Sequence, residues 1–190
     1  MPTPSTNAIR SSPPFDWDAF LAVADRIAPA FDAATRDSDL VDSSILFSDG
    51  LCVCALCELT GATCVIESGT GFGGSTEMLA RYFANRGPVR GIWSIDLATT
   101  TLQEWGIRLG LVPRPAHLWS VHRNAAAVAK ARLGAWPMVT LVRGDAHEEL
   151  PRLIAERSRA GDRIAVVIDG PKEQAQLDLA ELALKTASVT

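Results

Sequence analysis

The stretch over residues 62–77 constrains the fold more than any other part of the chain. It reads Ala-Thr-Cys-Val-Ile-Glu-Ser-Gly-Thr-Gly-Phe-Gly-Gly-Ser-Thr-Glu, a β-branched run that ends on an acid and passes into glycines. Two apolar pairs with helical i,i+4 spacing follow, Met78/Tyr82 and Leu79/Phe83. The pattern predicts a strand, a tight turn and a helix. Because glycines accept positive φ and let a ligand approach the backbone, we expect a nucleotide-sized binding loop here.

Two ligand templates fit this loop. Gly69, Gly71 and Gly74 satisfy the dinucleotide fingerprint G-x-G-x-x-G, which would indicate a nicotinamide-dependent oxidoreductase. Gly69, Gly71 and Gly73, preceded by Glu67, also read E-x-G-x-G-x-G. A carboxylate beside a pyrophosphate would repel it, whereas it would attract a ligand that carries an ammonium and a sulfonium group. The residues favour the second template, and the dinucleotide alternative stays open.

The composition is that of a globular protein. The chain has 190 residues, of which 47% are hydrophobic, and this is enough for one domain with a sizeable core. The formal net charge of −4 gives no overall electrostatic reason to bind nucleic acid or an anionic membrane. No run approaches the ~18 apolar residues of a membrane span, and residues 1–14 lack the apolar core of a secretory signal. We expect a cytoplasmic protein with a disordered arm over 1–14.

The residues between this arm and the glycine loop predict two helices. Apolar positions with helical spacing indicate a first helix over 15–31, which Pro29 ends or kinks. A second helix is predicted over 50–59, and Gly61 closes it before the first strand. Such leading helices either cover one face of the sheet or roof the ligand pocket, and we favour the covering role. We therefore treat 15–61 as a unit of N-terminal helices.

The four cysteines lie close together in the sequence but do not have metal-ligand spacing. Three of them fall on the second predicted helix, where i, i+2, i+5 spacing scatters the thiols around the axis. We expect small buried thiols in a reduced compartment. The histidines also show no ligand spacing with them. The residues concerned are Cys52, Cys54, Cys57, Cys64, His117, His122 and His147.

Three further strands are predicted after the glycine loop, over 91–97, 138–142 and 163–168, with helices between them. Each strand ends at or just before an acid, namely Asp96, Asp145 or Asp169. In a βαβ unit, Asp96 would lie at the carboxyl end of the neighbouring strand, within reach of a ribose diol. The segment over 97–123 is longer than a simple connection needs, and a substrate lid, an oligomer contact and plain packing are all compatible with it.

Four βα units with an acid at each strand end resemble the first four units of class I S-adenosylmethionine-dependent methyltransferases. The resemblance covers the chain from about Cys64 onwards, and its motifs are the E-x-G-x-G-x-G loop, Gly144-Asp145-Ala146 and Asp169-x-x-Lys172. It implies a Rossmann-like three-layer α/β fold with a mostly parallel sheet of about four strands in the order 3-2-1-4. The cofactor-binding domain would occupy residues 62–190.

The resemblance also implies roles for individual residues. Glu67 and the glycine loop would hold the methionine moiety, Asp96 would bind the ribose hydroxyls, and Asp145 would lie near the adenine. Asp169 and Lys172 resemble the D-x-x-K element of small-molecule O-methyltransferases, in which the Asp binds a divalent cation and the Lys serves as base. The implied reaction is methyl transfer to a hydroxyl oxygen of a small acceptor. The implied cofactor-binding set is Glu67, Gly69, Thr70, Gly71, Gly73, Ser75, Asp96 and Asp145.

The chain departs from this family at its C-terminus. A complete fold of this class has seven strands, whereas this sequence ends after the fourth predicted helix. We therefore expect a C-terminally truncated domain that lacks part of the acceptor pocket and the further metal ligands. A non-catalytic remnant stays open as an alternative. The apolar strand over 164–168 would lie at the sheet edge, where an unpaired strand favours homodimer formation or recruitment of a partner segment.

Overall fold

A parallel sheet of four strands forms the centre of the molecule. The computed structural model of the chain describes residues 15–36, 47–96, 126–170 and 174–187. The strands lie in the order β3-β2-β1-β4, and each neighbouring pair is parallel. This confirms the predicted Rossmann-like α/β sheet and its order, with a switch in strand order at β1. The strands are β1 (Cys64–Ser68), β2 (Gly91–Asp96), β3 (Val139–Arg143) and β4 (Ile164–Ile168).

Helices cover both faces of this sheet. The neighbours Val65 and Ile66 on β1 point to opposite faces and belong to two separate hydrophobic clusters. The first cluster contains residues of α1, α2 and α3, and the second contains residues of α5 and α6. The two leading helices thus cover a sheet face, as predicted. The helices are α1 (Trp17–Thr35), α2 (Phe47–Thr60), α3 (Gly74–Phe83), α4 (described over 126–133), α5 (Ala146–Arg159) and α6 (Gln174–Ala187).

The first helix is longer than the sequence predicted. Instead of ending near residue 31, α1 continues through Pro29 to Thr35. A proline in a helix removes the hydrogen bond to the carbonyl four residues earlier, here that of Asp25. Both Pro29 and Asp25 are exposed, so water can reach that carbonyl. On the opposite side, Ile27 and Phe31 are buried in the first cluster, and their packing holds the helix together across the proline.

The helix after β3 begins earlier than predicted. The sequence placed Pro151 in its first turn, but α5 starts at Ala146 and Pro151 lies beyond the first turn. The cause is a side-chain cap, because Asp145 accepts a hydrogen bond from the His147 backbone N–H at 2.8 Å. The arm over 1–14, the segment over 97–123 and Lys172 lie outside the described residues. Within the described residues, no helix has the length and apolar character needed to cross a bilayer.

Candidate functional site

The loop between β1 and α3 requires glycine at alternate positions. Gly69, Gly71 and Gly73 have φ values of 103°, 52° and 80°, in a region that L side chains rarely adopt. Gly74 is the first residue of α3 and is not among the glycines with positive φ. The positive φ angles of the loop backbone therefore require the three glycines of the E-x-G-x-G-x-G template. The last glycine of the dinucleotide fingerprint occupies an ordinary helical position.

One side of this loop packs on the protein and the other is open. The Gly69 N–H donates to the Ile95 carbonyl at 2.9 Å, and the Gly73 N–H donates to the Thr70 carbonyl at 2.7 Å. A Cβ atom added at Gly69 would lie 2.7 Å from the Gly170 backbone nitrogen. A Cβ atom added at Gly71 would meet nothing within 4 Å. The tip of the loop at Gly71 is therefore where a ligand can approach the backbone.

Asp96 lies beside this open tip. Its Oδ2 atom accepts a hydrogen bond from the Gly71 backbone N–H at 3.1 Å. Burial raises the pKa of the Asp96 carboxyl above its ordinary value, and the hydrogen bond from Gly71 opposes that rise. The predicted strand-end acid and the predicted glycine loop are thus brought into contact.

Glu67 lies beneath the loop and is fully buried. Its Oε1 atom accepts a hydrogen bond from the Ser75 hydroxyl at 2.6 Å. Its Oε2 atom accepts from the Ser94 hydroxyl at 2.8 Å and from the Thr76 hydroxyl. These three hydrogen bonds are donated to the carboxyl oxygens, and they favour the ionised form of the group. The N-terminus of α3, from which Ser75 and Thr76 come, adds a favourable dipole.

Thr70 completes this buried network. Its hydroxyl lies 2.7 Å from the Ser94 hydroxyl. Because Ser94 uses its only proton toward Glu67, Thr70 is the donor to Ser94. The side chains of Thr70 and Ser75, both predicted to bind cofactor, therefore point into the Glu67 network. Their predicted contact with a ligand would have to come from their backbone groups and stays a prediction.

Sequence reasoning did not identify Ser94 and Thr76 as members of the site. A signal for Ser94 was present, because it is a polar residue between Trp93 and Ile95 in a strand that is otherwise apolar up to its last residue, Asp96. In the parallel register, Ser94 is the β2 partner of Glu67. A buried acid predicts hydrogen-bond donors on the neighbouring strand, and a serine can supply one.

The buried position of Glu67 affects its ionisation. Burial raises the pKa of the Glu67 carboxyl above its ordinary value, and the negative charge of Asp169 raises it further. The hydrogen bonds from Ser75, Thr76 and Ser94 act in the opposite direction. A cation bound near the loop would stabilise the ionised form of this carboxyl.

The other two strand-end acids occupy different environments. The backbone N–H groups of Asp169 and Gly170 both donate to the Ser68 carbonyl at 2.9 Å, so Asp169 follows β4 directly beside the end of β1. Asp145 is about half exposed, and its Oδ1 atom caps α5. The sheet therefore brings Glu67, Asp96 and Asp169 to one edge, while the Asp145 side chain turns toward its own helix.

Two arginines share Glu77 next to the loop, and one of them, Arg132, contacts the outer side of the loop. Arg132 on α4 donates to the Phe72 carbonyl at 3.1 Å, and its Nε atom lies 3.1 Å from Glu77 Oε2. Arg81 binds the other oxygen of Glu77, with Nε donating at 2.9 Å. Sequence reasoning did not identify Arg132, because it is 60 residues from Phe72 and no local pattern connects them.

The thiols lie away from this edge of the sheet. Cys54, Cys57 and Cys64 are buried, and Cys52 is exposed. Burial raises the pKa of Cys57 to about 12 and that of Cys64 to about 12. These properties match the predicted buried thiols for three of the four residues. In the described part of the chain, no group of three or more His, Cys, Asp or Glu side chains is arranged to hold a metal ion.

No protein-family model and no curated protein sequence matches the chain. Among solved structures, it is similar to the O-methyltransferase TomG from Streptomyces achromogenes, involved in tomaymycin synthesis and solved with SAM. The identity is 24%, the TM-score is 0.48, and the match covers 85% of this chain and 60% of TomG. The chain thus spans less than two thirds of the length of TomG.

Two further solved structures show similar levels of likeness. Cofactor-bound Rv0187 from MTB is 20% identical with a TM-score of 0.39, over 95% of this chain and 88% of that one. A candidate O-methyltransferase from Klebsiella pneumoniae is 17% identical with a TM-score of 0.39, over 96% and 81%. All three identities are below 25% and all three TM-scores are below 0.5. We therefore assign the Rossmann-like fold from the strand order of the sheet itself.

Proposed function

We propose that this chain binds S-adenosylmethionine and transfers its methyl group to a hydroxyl oxygen of a small molecule. The observation that carries the proposal is the loop over 69–73, whose three positive-φ glycines alternate above a buried Glu67. The loop leaves its tip open at Gly71, and a carboxylate, that of Asp96, lies beside the tip. This arrangement suits a ligand with a ribose diol and a positively charged amino-acid end.

The same observation disfavours a dinucleotide. A pyrophosphate bound at this loop would lie close to the buried Glu67, which has no basic partner in its hydrogen-bond network. Like charges in a desolvated site repel each other strongly. The ammonium and sulfonium groups of S-adenosylmethionine would instead stabilise the ionised carboxylate. A nicotinamide cofactor is therefore the second candidate, and it is supported only by the G-x-G-x-x-G spacing of Gly69, Gly71 and Gly74.

The residues present fit the proposed cofactor. Asp96 uses Oδ2 toward Gly71, which leaves Oδ1 to accept a hydrogen bond from a ribose hydroxyl. The glycine loop would lie against the methionine moiety, and Glu67 would act on its charge from beneath the loop. Asp145 would stay near the adenine, with Oδ1 already engaged in the cap of α5.

The bound cofactor would supply an electrophilic methyl group on a sulfonium. Methyl transfer is an in-line displacement, so the protein has to place the acceptor oxygen opposite the sulfur and help to remove its proton. We propose Asp169 and Lys172 for this part of the site, with Lys172 as base and Asp169 as an acceptor for the substrate or for a divalent cation. The position of Asp169 beside the end of β1 supports this assignment.

Calorimetry with S-adenosylmethionine and with S-adenosylhomocysteine tests the cofactor. We expect wild-type protein to bind both, and we expect Gly71→Arg to abolish binding because its side chain fills the open tip. NADH fluorescence measured in parallel tests the dinucleotide. Folded protein that binds NADH and neither adenosyl ligand would overturn the proposal. If the adenosyl ligands bind but no methyl transfer occurs over a panel of phenols, catechols and sugars, the chain is a non-catalytic remnant.

We also propose that the chain forms a homodimer through β4. Each of its five residues is only partly buried, and in the described residues no strand pairs with its outer edge. A groove of about 480 Å³ runs beside this edge, with Ile164, Val166, Ile168 and Leu184 among its lining residues. An apolar strand without charge, proline or glycine is an association site, and two copies would pair their β4 edges.

Analytical ultracentrifugation tests this dimer. We expect wild-type protein to associate with increasing concentration and Val166→Lys to be monomeric. The matched control is Leu141→Lys on β3, the opposite edge of the sheet, where the side chain is 41% exposed. A wild-type monomer at all concentrations would contradict the proposal.

A cytoplasmic location is proposed as well, supported by the four free thiols.

A further inference from the structure

Helix α4 packs directly against the glycine loop. A Cβ atom added at Gly73 would lie 2.9 Å from Leu133 Cδ1 and 3.4 Å from Ala129 Cα. Gly73 is therefore required by this close approach as well as by its positive φ. This packing places the Arg132 side chain against the outer side of the loop.

Arg132 binds two acceptors at once. Its Nη1 atom donates to the Phe72 carbonyl at 3.1 Å, and its Nε atom lies 3.1 Å from Glu77 Oε2. The two side chains of this ion pair are only 12% and 10% exposed. A guanidinium holds its donors in a rigid plane, so the bond to Glu77 also fixes the direction of the bond to Phe72.

The Phe72 carbonyl lies where the loop backbone has the greatest conformational freedom. Gly71 and Gly73 flank Phe72, and glycine allows many backbone conformations on either side. The Gly71 N–H is held by Asp96, and the Gly73 N–H is held by the Thr70 carbonyl. Arg132 anchors the Phe72 carbonyl from α4, outside the β1-loop-α3 unit. Without it, the peptide between Phe72 and Gly73 is held by one hydrogen bond, from the Gly73 N–H to the Thr70 carbonyl, instead of by two.

We propose that Arg132 is a positioning residue, which holds the glycine loop in the conformation that binds the cofactor. It does so through the Phe72 carbonyl, with Glu77 fixing its guanidinium. This inference rests on the proposed binding of S-adenosylmethionine and adds to it a residue outside the loop. In this role Arg132 acts on the ligand through the loop, because it reduces the number of loop conformations that binding has to select from.

Arg81 provides a matched control. It binds the same carboxylate as Arg132, with Nη2 at 2.8 Å from Glu77 Oε1, but its partners in the described residues are Glu77 and the Trp136 ring, and neither belongs to the loop. Arg81→Met and Arg132→Met each remove one ion pair from Glu77 and leave the other in place. Only Arg132→Met removes the bond to the Phe72 carbonyl. Arg132→Lys retains the charge but cannot reach both acceptors with a rigid fork.

The first measurement is hydrogen exchange of the Gly71 and Gly73 amides by NMR on the full chain without ligand. We expect both amides to exchange about tenfold faster in Arg132→Met, for the loss of one charge-assisted hydrogen bond, and to be unchanged in Arg81→Met. Arg132→Lys should fall between wild type and Arg132→Met. Equal exchange rates in Arg132→Met and Arg81→Met would overturn the inference.

The second measurement is calorimetry with S-adenosylhomocysteine. We expect Arg132→Met to weaken binding by about tenfold and Arg81→Met to leave it within about twofold of wild type. Thermal unfolding of both variants controls for a general loss of stability. Equal affinities in wild type and Arg132→Met would overturn the inference. If wild-type protein does not bind the ligand, the proposed function fails, and the exchange rates still decide whether Arg132 holds the loop.

Discussion

The carboxylate of Asp96 and the backbone N–H of Gly71 meet at 3.1 Å, although the two residues are 25 positions apart in the chain. The contact joins the end of β2 to the open tip of the glycine loop. A ligand that lies against the loop therefore also lies within reach of Asp96. This relationship links the strand-end acid with the loop in one site.

We predict that Asp96→Ala weakens binding of S-adenosylhomocysteine while the protein stays folded. The variant loses hydrogen bonds to the ribose diol, and the expected loss is about 2–3 kcal/mol for two charge-assisted bonds. Isothermal calorimetry measures the dissociation constant, and thermal unfolding confirms folding. Asp96→Asn is the control, because it keeps an acceptor for the Gly71 N–H and should lose less. An unchanged dissociation constant in Asp96→Ala would remove Asp96 from the site.

We predict that Glu67→Gln alters the pH dependence of stability. Burial raises the pKa of Glu67 in the folded protein. A group with a raised folded pKa contributes stability that is present at low pH and is lost as the pH rises through the folded pKa. Relative to Glu67→Gln, wild type should therefore become less stable as the pH rises above the ordinary range of a glutamate. Urea unfolding at a series of pH values measures the difference, and parallel curves would contradict the raised pKa.

The same substitution separates the two cofactor templates. Glu67→Gln retains the shape of the side chain but removes the charge that attracts an ammonium or a sulfonium. Binding of S-adenosylhomocysteine, which keeps the ammonium, should weaken. Binding of a dinucleotide should instead be equal or tighter, because a repulsion is removed. The sign of the change in affinity therefore identifies the class of ligand.

The fold was predictable because its signals are local. The β-branched run before Gly69 and the apolar run over 164–168 predict strands, and the glycines and acids that follow indicate where these strands end. The residues that complete the site act over longer distances. Arg132 reaches Phe72 from a helix 60 residues away. The predicted end of α1 near residue 31 was wrong, because it was based on the missing N–H of Pro29. The burial of Ile27 and Phe31 stabilises the helix beyond the proline, as far as Thr35.

We predict that one of the four thiols reacts quickly in native protein. Cys52 is exposed, whereas Cys54, Cys57 and Cys64 are buried with raised pKa values, so their reactive thiolates are scarce. Titration with an aromatic disulfide reagent at neutral pH should show one fast thiol. Three more should appear on unfolding. Cys52→Ser should abolish the fast phase, and a fast phase of more than one thiol would mean that α2 or the start of β1 opens in solution.

We predict that the two glycines at the start of the loop respond differently to alanine. At Gly69, with φ of 103°, the added Cβ would lie 2.7 Å from the Gly170 backbone nitrogen. Backbone strain of about 1–3 kcal/mol and a clash with rigid main chain should together make Gly69→Ala strongly destabilising. At Gly71, with φ of 52°, nothing lies within 4 Å of the added Cβ. Gly71→Ala should therefore cost only about 1–2 kcal/mol for a left-handed alanine.

Urea unfolding measures both free energies, and binding of S-adenosylhomocysteine distinguishes the roles of the two positions. The methyl group of Gly71→Ala points into the open space where the ligand would approach, so binding should weaken by more than the small loss of stability explains. Glu67 and Asp96 remain unchanged in this variant, so the loss would report the loop tip alone. If Gly71→Ala destabilises the protein as much as Gly69→Ala, or if it binds the ligand as wild type does, the tip of the loop is not the surface that faces the cofactor.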